Sequence, residues 1–143
     1  MDQDLDLDAF VQAAADAIIA AASDGKIVFW NPAAARIFGF TAADALGQGL
    51  DLIIPERFRA RHWDGYRKVM ITGESKYQSE LLRVPAQHKD GRPLSIAFTV
   101  TLLDSPRSGG RVIAAIVRDE TDRWNEERKL KQRINELEQR IKG

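Results

Sequence analysis

Cysteine is absent from the 143-residue sequence, which excludes disulfide bonds, thiolate nucleophiles, cysteine-ligated metals and cofactors attached through cysteine. No run of about 18 apolar residues occurs, so a membrane-spanning helix is not expected. The acidic N-terminus, with Asp2, Asp4, Asp6 and Asp8, has the wrong charge for a secretory signal. Basic and acidic residues number 21 each, whereas a nucleic-acid-binding face would need a basic excess. These absences predict a cytoplasmic protein without a membrane or nucleic-acid partner.

Signatures of catalysis are also missing from the sequence. It contains no recognisable nucleophile–base pair, phosphate-binding loop or kinase motif, and the pattern of Gly47 and Gly49 is too short to indicate phosphate binding. The composition, with 44% hydrophobic and 29% charged residues, is typical of a folded domain. The length fits one domain with an extension. We therefore expect a folded protein that is not an enzyme.

Two Asp-Gly turns organise the predicted strands. Asp24-Gly25 separates the apolar runs 17–22 and 27–30, a pattern that predicts a β-hairpin. Asp90-Gly91 precedes residues 92–103, where apolar and polar residues alternate as in a half-buried antiparallel strand. Further strands are predicted within 77–85 and over 111–118.

Helices are predicted before, between and after these strands. A short flanking helix is expected over residues 7–15 from its apolar spacing. Asn31 and Thr41 are suitable N-terminal caps for two short helices, and Gly39 suits the end of the first. The element order β-β-α-α-α-β-β-β, followed by a helix, predicts an α+β fold. The aromatic residues Trp30, Phe38 and Phe40 are expected in its core.

The segment 55–70 predicts a longer helix with an unusual apolar face. Residues three and four apart share a helix face, which places Phe58, His62 and Tyr66 together, followed by Val69 or Met70. The opposite face carries most of the charges. A single imidazole is therefore directed toward the core or toward a ligand.

The C-terminal helix carries a heptad pattern. Leu130, Ile134, Leu137 and Ile141 are spaced four, three and four residues apart, with leucine at d and isoleucine at a, which favours a parallel two-stranded coiled coil. In this register Glu126 would pair with Lys131, and Arg133 with Glu138, across two chains. We expect a homodimer, and the alternative is a helix that folds back on its own domain.

Four segments together resemble a PAS domain: FWNPAAARIFGF at 29–40, LIIPERFRARH at 52–62, KDG at 89–91 and RDET at 118–121. The resemblance implies a five-stranded antiparallel sheet with short helices on one face, enclosing a pocket for a small ligand. It divides the chain into a flanking helix at 1–16, a PAS domain at 17–118 and a signalling coiled-coil helix at 119–143. Asp119 and Thr121 would link the last strand to that helix, which would act on a signalling output protein.

Residues 59–62, Arg-Ala-Arg-His, are similar to a sequence on the long helix of haem-containing PAS sensors, in which the histidine ligates iron. This resemblance implies that haem b binds through His62 for gas or redox sensing, with Lys68 and Lys76 as propionate partners. Leu82, rather than Arg83, falls where those sensors have an arginine that holds oxygen. The implied cofactor site comprises His62, Tyr66, Lys68, Lys76, Leu82, Phe98, Val100 and Ile116.

Other interpretations of the pocket remain open at this point. A lone histidine facing a core is more often hydrogen-bonded to backbone than bound to a metal. The pocket would then be empty or hold an apolar ligand, a noncovalent flavin or another aromatic molecule. With an empty pocket, the chain would be a ligand-free PAS dimerisation module. His88, beside the second turn, is expected to be exposed to solvent. Trp63 is expected to be a lid residue.

Overall fold

The computed structural model of the chain describes residues 4–73, 80–105 and 110–142. The helices are α1 (Leu7–Ala13), α2 (Pro32–Phe38), α3 (Ala42–Ala45), α4 (Glu56–Thr72) and α5 (Thr121–Lys142), and a 3₁₀ turn spans Leu50–Leu52. The strands are β1 (Ala17–Ala22), β2 (Ile27–Trp30), β3 (Leu82–Gln87), β4 (Pro93–Ser105) and β5 (Gly110–Asp119).

The strands form one antiparallel sheet in the order β2-β1-β5-β4-β3. The register places Leu82, Phe98, Val117 and Ala17 opposite one another in a single row across four strands. Side chains in such a row share one face of the sheet, because residues directly opposite each other in paired strands point to the same side. The predicted α+β fold, with its five-stranded antiparallel sheet and flanking N- and C-terminal helices, is confirmed.

Asn31 caps α2 as the sequence predicts and also connects α2 to the start of the sheet. Its side-chain oxygen accepts hydrogen bonds from the backbone N–H groups of Ala34 at 3.0 Å and Ile18 at 2.9 Å. Its amide donates to the carbonyls of Val11 at 3.0 Å and Asp16 at 3.2 Å. The side chain is buried, so these bonds offset the free energy of removing a polar amide from water.

Two side chains of α4 hold the helix against the hairpin and the preceding turn. The hydroxyl of Tyr66 donates to the carbonyl of Ala22 at the end of β1. The Trp63 indole donates to Oδ1 of Asp51 at 2.7 Å, and its ring lies against Gly25 in the β1–β2 turn. The prediction that Trp63 is a lid residue is therefore wrong, because the ring packs against the hairpin instead of covering the pocket.

The prediction that His88 is exposed to solvent is also wrong. Its side chain is only 15% exposed because the imidazole packs on Gly39, the left-handed residue that ends α2. The backbone N–H of Asp90 donates to its Nδ1 at 3.1 Å. The neighbouring backbone N–H of Lys89 donates to the carbonyl of Phe38 at 2.8 Å. The β3–β4 turn is thereby fixed to the end of α2.

Candidate functional site

A cavity of about 280 Å³ lies between α4 and the inner face of the sheet. Its walls come from the long helix, the turn that precedes it and four of the five strands. The lining residues on the helix and turn are Leu50, Ile53, Ile54, His62, Gly65, Tyr66 and Val69. Those on the strands are Ile19, Leu82, Val84, Pro85, Ala86, Ile96, Phe98, Val100, Ile113, Ala115 and Val117.

His62 brings a polar ring into this apolar wall. Its Nδ1 is buried and has no hydrogen-bond partner among the described residues. Burial lowers the pKa of the imidazole, and the negative charge of Asp51 opposes this shift only in part. The ring is held in position by Trp63 at 4.7 Å and Tyr66 at 5.6 Å between ring centroids. A neutral imidazole with an unused nitrogen is therefore available to a ligand.

Tyr66 lines the same cavity, but its hydroxyl is already used. Because that hydroxyl donates to the Ala22 carbonyl, it is engaged in holding the helix to the sheet. Burial raises the pKa of the phenol well above its usual range, so it stays protonated. Among the described lining residues, His62 is thus the side chain with a free polar atom.

The structure also places Leu82, Phe98 and Val100 in the cavity wall. The β3–β4 register explains why Leu82 rather than Arg83 lies there, since Leu82 pairs with Phe98 and shares its face. Arg83 points to the opposite face, where its Nε donates to Oε2 of Glu120 at 3.2 Å. The described wall thus carries no arginine at this position. That the wall residues bind a cofactor stays a prediction.

Three other predicted cofactor residues are not among the described residues that line the cavity. Ile116 is 53% exposed on the outer face of the sheet, so its placement in the cavity is wrong, and its neighbours Ala115 and Val117 line the cavity instead. Lys68 is exposed and pairs with Asp64 at 3.4 Å, away from the lining residues. Lys76 lies outside the described residues.

The sequence does not show which face of β5 lines the cavity, for a physical reason. Residues 111–118, RVIAAIVR, are apolar on both faces of the strand, so period-two alternation cannot tell which residues point inward. The pairing of Val117 with Phe98 resolves the ambiguity. In the sequence, only the neighbouring strand β4 indicates which residues face the cavity, because its apolar and polar residues alternate clearly.

The predicted linker residues join the end of β5 to β4 and to α5. Asp119 Oδ1 accepts hydrogen bonds from the Thr121 hydroxyl and from its backbone N–H, the latter at 2.9 Å. The Thr121 hydroxyl in turn accepts from the backbone N–H of Ser95 at 3.0 Å. Ser95 precedes Ile96, whose side chain lines the cavity. The contact that fixes the start of α5 is therefore made by the residue next to the cavity wall.

Glu120 adds a second connection between the wall and α5. Its carboxylate, with a side chain only 13% exposed, pairs with Arg83 at 3.2 Å and with Arg123 at 3.7 Å. Arg83 lies between the cavity-lining residues Leu82 and Val84 on β3. This ion pair joins the edge strand to the residue that precedes α5.

The chain matches the family model described as PAS fold over residues 5–119. It is 36% identical over 124 residues to an uncharacterised protein of Azorhizobium caulinodans, covering 85% of this chain and 16% of that protein. It is 28% identical to the sensor protein FixL of Bradyrhizobium diazoefficiens, covering 85% and 24% of the two chains. It is 24% identical to the oxygen sensor protein DosP of Escherichia coli, covering 66% and 12%. The chain thus spans less than a quarter of the length of each of these relatives.

A solved PAS domain from Colwellia psychrerythraea has the same fold, with a TM-score of 0.68 at 17% identity, covering 81% of this chain and 95% of that one. Within residues 4–73, 80–105 and 110–142, no helix has the length and hydrophobicity needed to cross a membrane. The family match covers most of the chain, and the observed strand order and helices agree with it. The chain belongs to the PAS family.

Proposed function

We propose that this PAS domain binds a small, largely apolar ligand in the cavity beneath α4, with His62 as the polar contact. The observation that carries the proposal is the buried Nδ1 of His62, which has no partner in the described part of the chain while its ring lines an apolar cavity. A buried polar atom without a partner is unfavourable, because its hydration has been lost without replacement. A ligand that bonds to the imidazole would remove this penalty.

Haem b is the ligand we would test first. A neutral imidazole in an apolar wall fits the donor chemistry of haem iron, and the Arg-Ala-Arg-His sequence at 59–62 resembles that of haem-containing PAS sensors. The name of DosP, an oxygen sensor protein, adds support. The cavity volume of about 280 Å³ lies just below the range of about 300–1,000 Å³ for drug-sized ligands, so a macrocycle would not be enclosed without movement of the cavity wall.

A bound haem would supply an iron centre that binds a gas or changes its redox state. The residues of this chain would hold the imidazole in place and exclude water from the cavity. Trp63 and Tyr66 position the ring from two sides, and the apolar side chains of β4 and β5 face it across the cavity.

The signal would leave the domain through α5. None of the residues Thr121–Lys142 is buried, and the apolar positions of its heptads are exposed. The alternative in which this helix folds back on its own sheet is not observed. An exposed heptad pattern favours pairing with a second copy of the chain. The proposal therefore includes a parallel homodimer, whose paired helices would signal to an output protein whether the cavity holds a ligand.

Absorption spectroscopy with haemin tests the ligand. The purified protein should develop a Soret band, and His62→Gly should lose it and regain it when free imidazole is added, because the imidazole can occupy the vacated space. His88→Gly is the matched control, since it removes the other histidine of the chain and should keep the band.

Absence of a band in the unmodified protein would exclude haem. Retention of the band in His62→Gly without imidazole would show that another residue binds the iron. If the protein also fails to bind an uncharged apolar dye, the cavity has no ligand role. The ligand-free dimerisation module is then the remaining function.

A further inference from the structure

The exposed residues of the described cavity wall all lie on α4 and β3. Most lining residues are buried or half-buried, but Gly65 on α4 and Val84 and Pro85 on β3 are exposed. These three residues lie on the two elements that face each other across the edge of the sheet. Within the described residues, the cavity is therefore open to solvent between the middle of α4 and the edge strand β3.

Gly65 has no evident structural reason to be a glycine. It lies in the interior of a 17-residue helix, where glycine is among the least favourable residues. It does not have a positive φ. A Cβ built on it would have no atom within 4 Å other than its chain neighbours and the backbone of its own helix. Neither backbone conformation nor close packing accounts for the missing side chain.

We propose that the gap beside Gly65 is the port of the cavity, through which its ligand enters and leaves, and that the missing side chain sets the width of that port. The inference deepens the proposed function and rests on it. His62 lies one helical turn before Gly65 on the same face of α4, so a molecule that passes Gly65 reaches the free imidazole directly.

The chemistry of the port and cavity limits the ligand class. Pro85 has no backbone N–H, and Val84 presents only methyl groups, so the side chains on the strand side of the port are apolar. An ionised group inside the apolar cavity would lose its hydration without compensation. The port therefore admits an uncharged, mainly apolar molecule, or one whose charged groups remain outside in solvent.

Stopped-flow fluorescence with the uncharged dye Nile red tests the port. Gly65→Leu should slow both association and dissociation of the dye by about tenfold while changing Kd little, because an obstructed path hinders both directions equally. Gly65→Ala should have a smaller effect of the same kind. Both variants should melt at a higher temperature than the unmodified protein, since alanine and leucine favour helix more than glycine does.

Two further variants make the result decisive. Arg67→Leu adds the same side chain to an exposed position of the same helix that does not line the cavity, and it should leave both rates unchanged. Ala115→Leu fills the cavity from β5 and should abolish dye binding, which shows that the dye occupies the cavity.

The outcomes separate the port from the proposed function. If Ala115→Leu abolishes binding but Gly65→Leu leaves both rate constants unchanged, the cavity binds ligand and the port is elsewhere. A weaker Kd with an unchanged association rate would mean that the new side chain occupies the cavity, and this would also overturn the port. If the unmodified protein binds neither Nile red nor haemin, the proposed ligand function fails and the port fails with it.

Discussion

The indole of Trp63 lies against the Cα of Gly25, so closely that a Cβ built on this glycine would be 2.3 Å from two of the ring carbons. Gly25 also has a φ of +82° in the β1–β2 turn. Two separate constraints therefore require glycine at this position, one from the backbone and one from packing. Since Trp63 follows His62 directly, the turn helps to determine where the imidazole is held.

Gly25→Ala should lower the free energy of unfolding by about 2–5 kcal/mol. The left-handed backbone accounts for about 1–2 kcal/mol of this loss, and the clash with the indole adds about 1–3 kcal/mol. Gly47→Ala is the matched control, because Gly47 has a φ of +84° but no atom near its Cβ position. It should lose only the backbone part, about 1–2 kcal/mol.

Urea denaturation followed by circular dichroism measures both values. A Trp63→Ala background should reduce the loss at Gly25 to that at Gly47, because the smaller side chain removes the clash. Equal losses for Gly25→Ala and Gly47→Ala in the unmodified background would mean that the indole does not constrain the turn.

Much of the fold could be predicted from the sequence, because strong local signals agree with each other. The turn at Asp24-Gly25, the cap at Asn31 and the alternation along residues 92–103 each specify a local structure, and the packed sheet satisfies them together. The stripe on the long helix identified His62 and Tyr66 as inward-facing because helical spacing fixes a side chain's direction. These features depend on residues close in sequence.

The errors concern contacts that depend on packing between distant segments. The family resemblance implies that Ile116 lines the cavity, but its side chain lies on the outer face. Because β5 is apolar on both faces, only its pairing with β4 fixes which face is inner. His88 was expected in solvent, but α2 ends against its ring. The pair between Arg83 and Glu120 joins residues far apart in sequence. A single sequence carries no signal for such a pair.

The buried imidazole of His62 should make stability depend on pH. Its pKa in the folded protein is below the usual value of 6.5 because burial disfavours the charged form. The unfolded chain therefore binds more protons as the pH falls through about 6.5, and stability decreases until the pH passes below the lowered pKa of the folded state. Above about pH 6.5 the histidine is neutral in both states and makes no such contribution.

His62→Phe should accordingly lose less stability than the unmodified protein between about pH 7.5 and about pH 5. Urea unfolding at the two pH values measures the difference. His88→Phe, which removes the other histidine of the chain, serves as the comparison. A pH dependence that is unchanged in His62→Phe would show that the imidazole titrates as it does in water and is not buried in solution.

The exposed apolar seam of α5 predicts a dimer and is formed by Leu130, Ile134, Leu137 and Ile141. The charge pairs expected between the two helices can be reversed by mutation. In a parallel coiled coil Glu126 of one chain would lie opposite Lys131 of the other, twice per dimer. Lys131→Glu creates like-charged pairs and should weaken the dimer by about fivefold, since exposed pairs contribute a few tenths of a kcal/mol each. Adding Glu126→Lys restores opposite charges and should recover the affinity.

Gln132→Glu, which adds a negative charge at an outward-facing heptad position, should have little effect. Sedimentation equilibrium gives each dissociation constant, and a monomeric mass for the unmodified chain at tens of micromolar, a range set by weak interfaces, would contradict the paired helix.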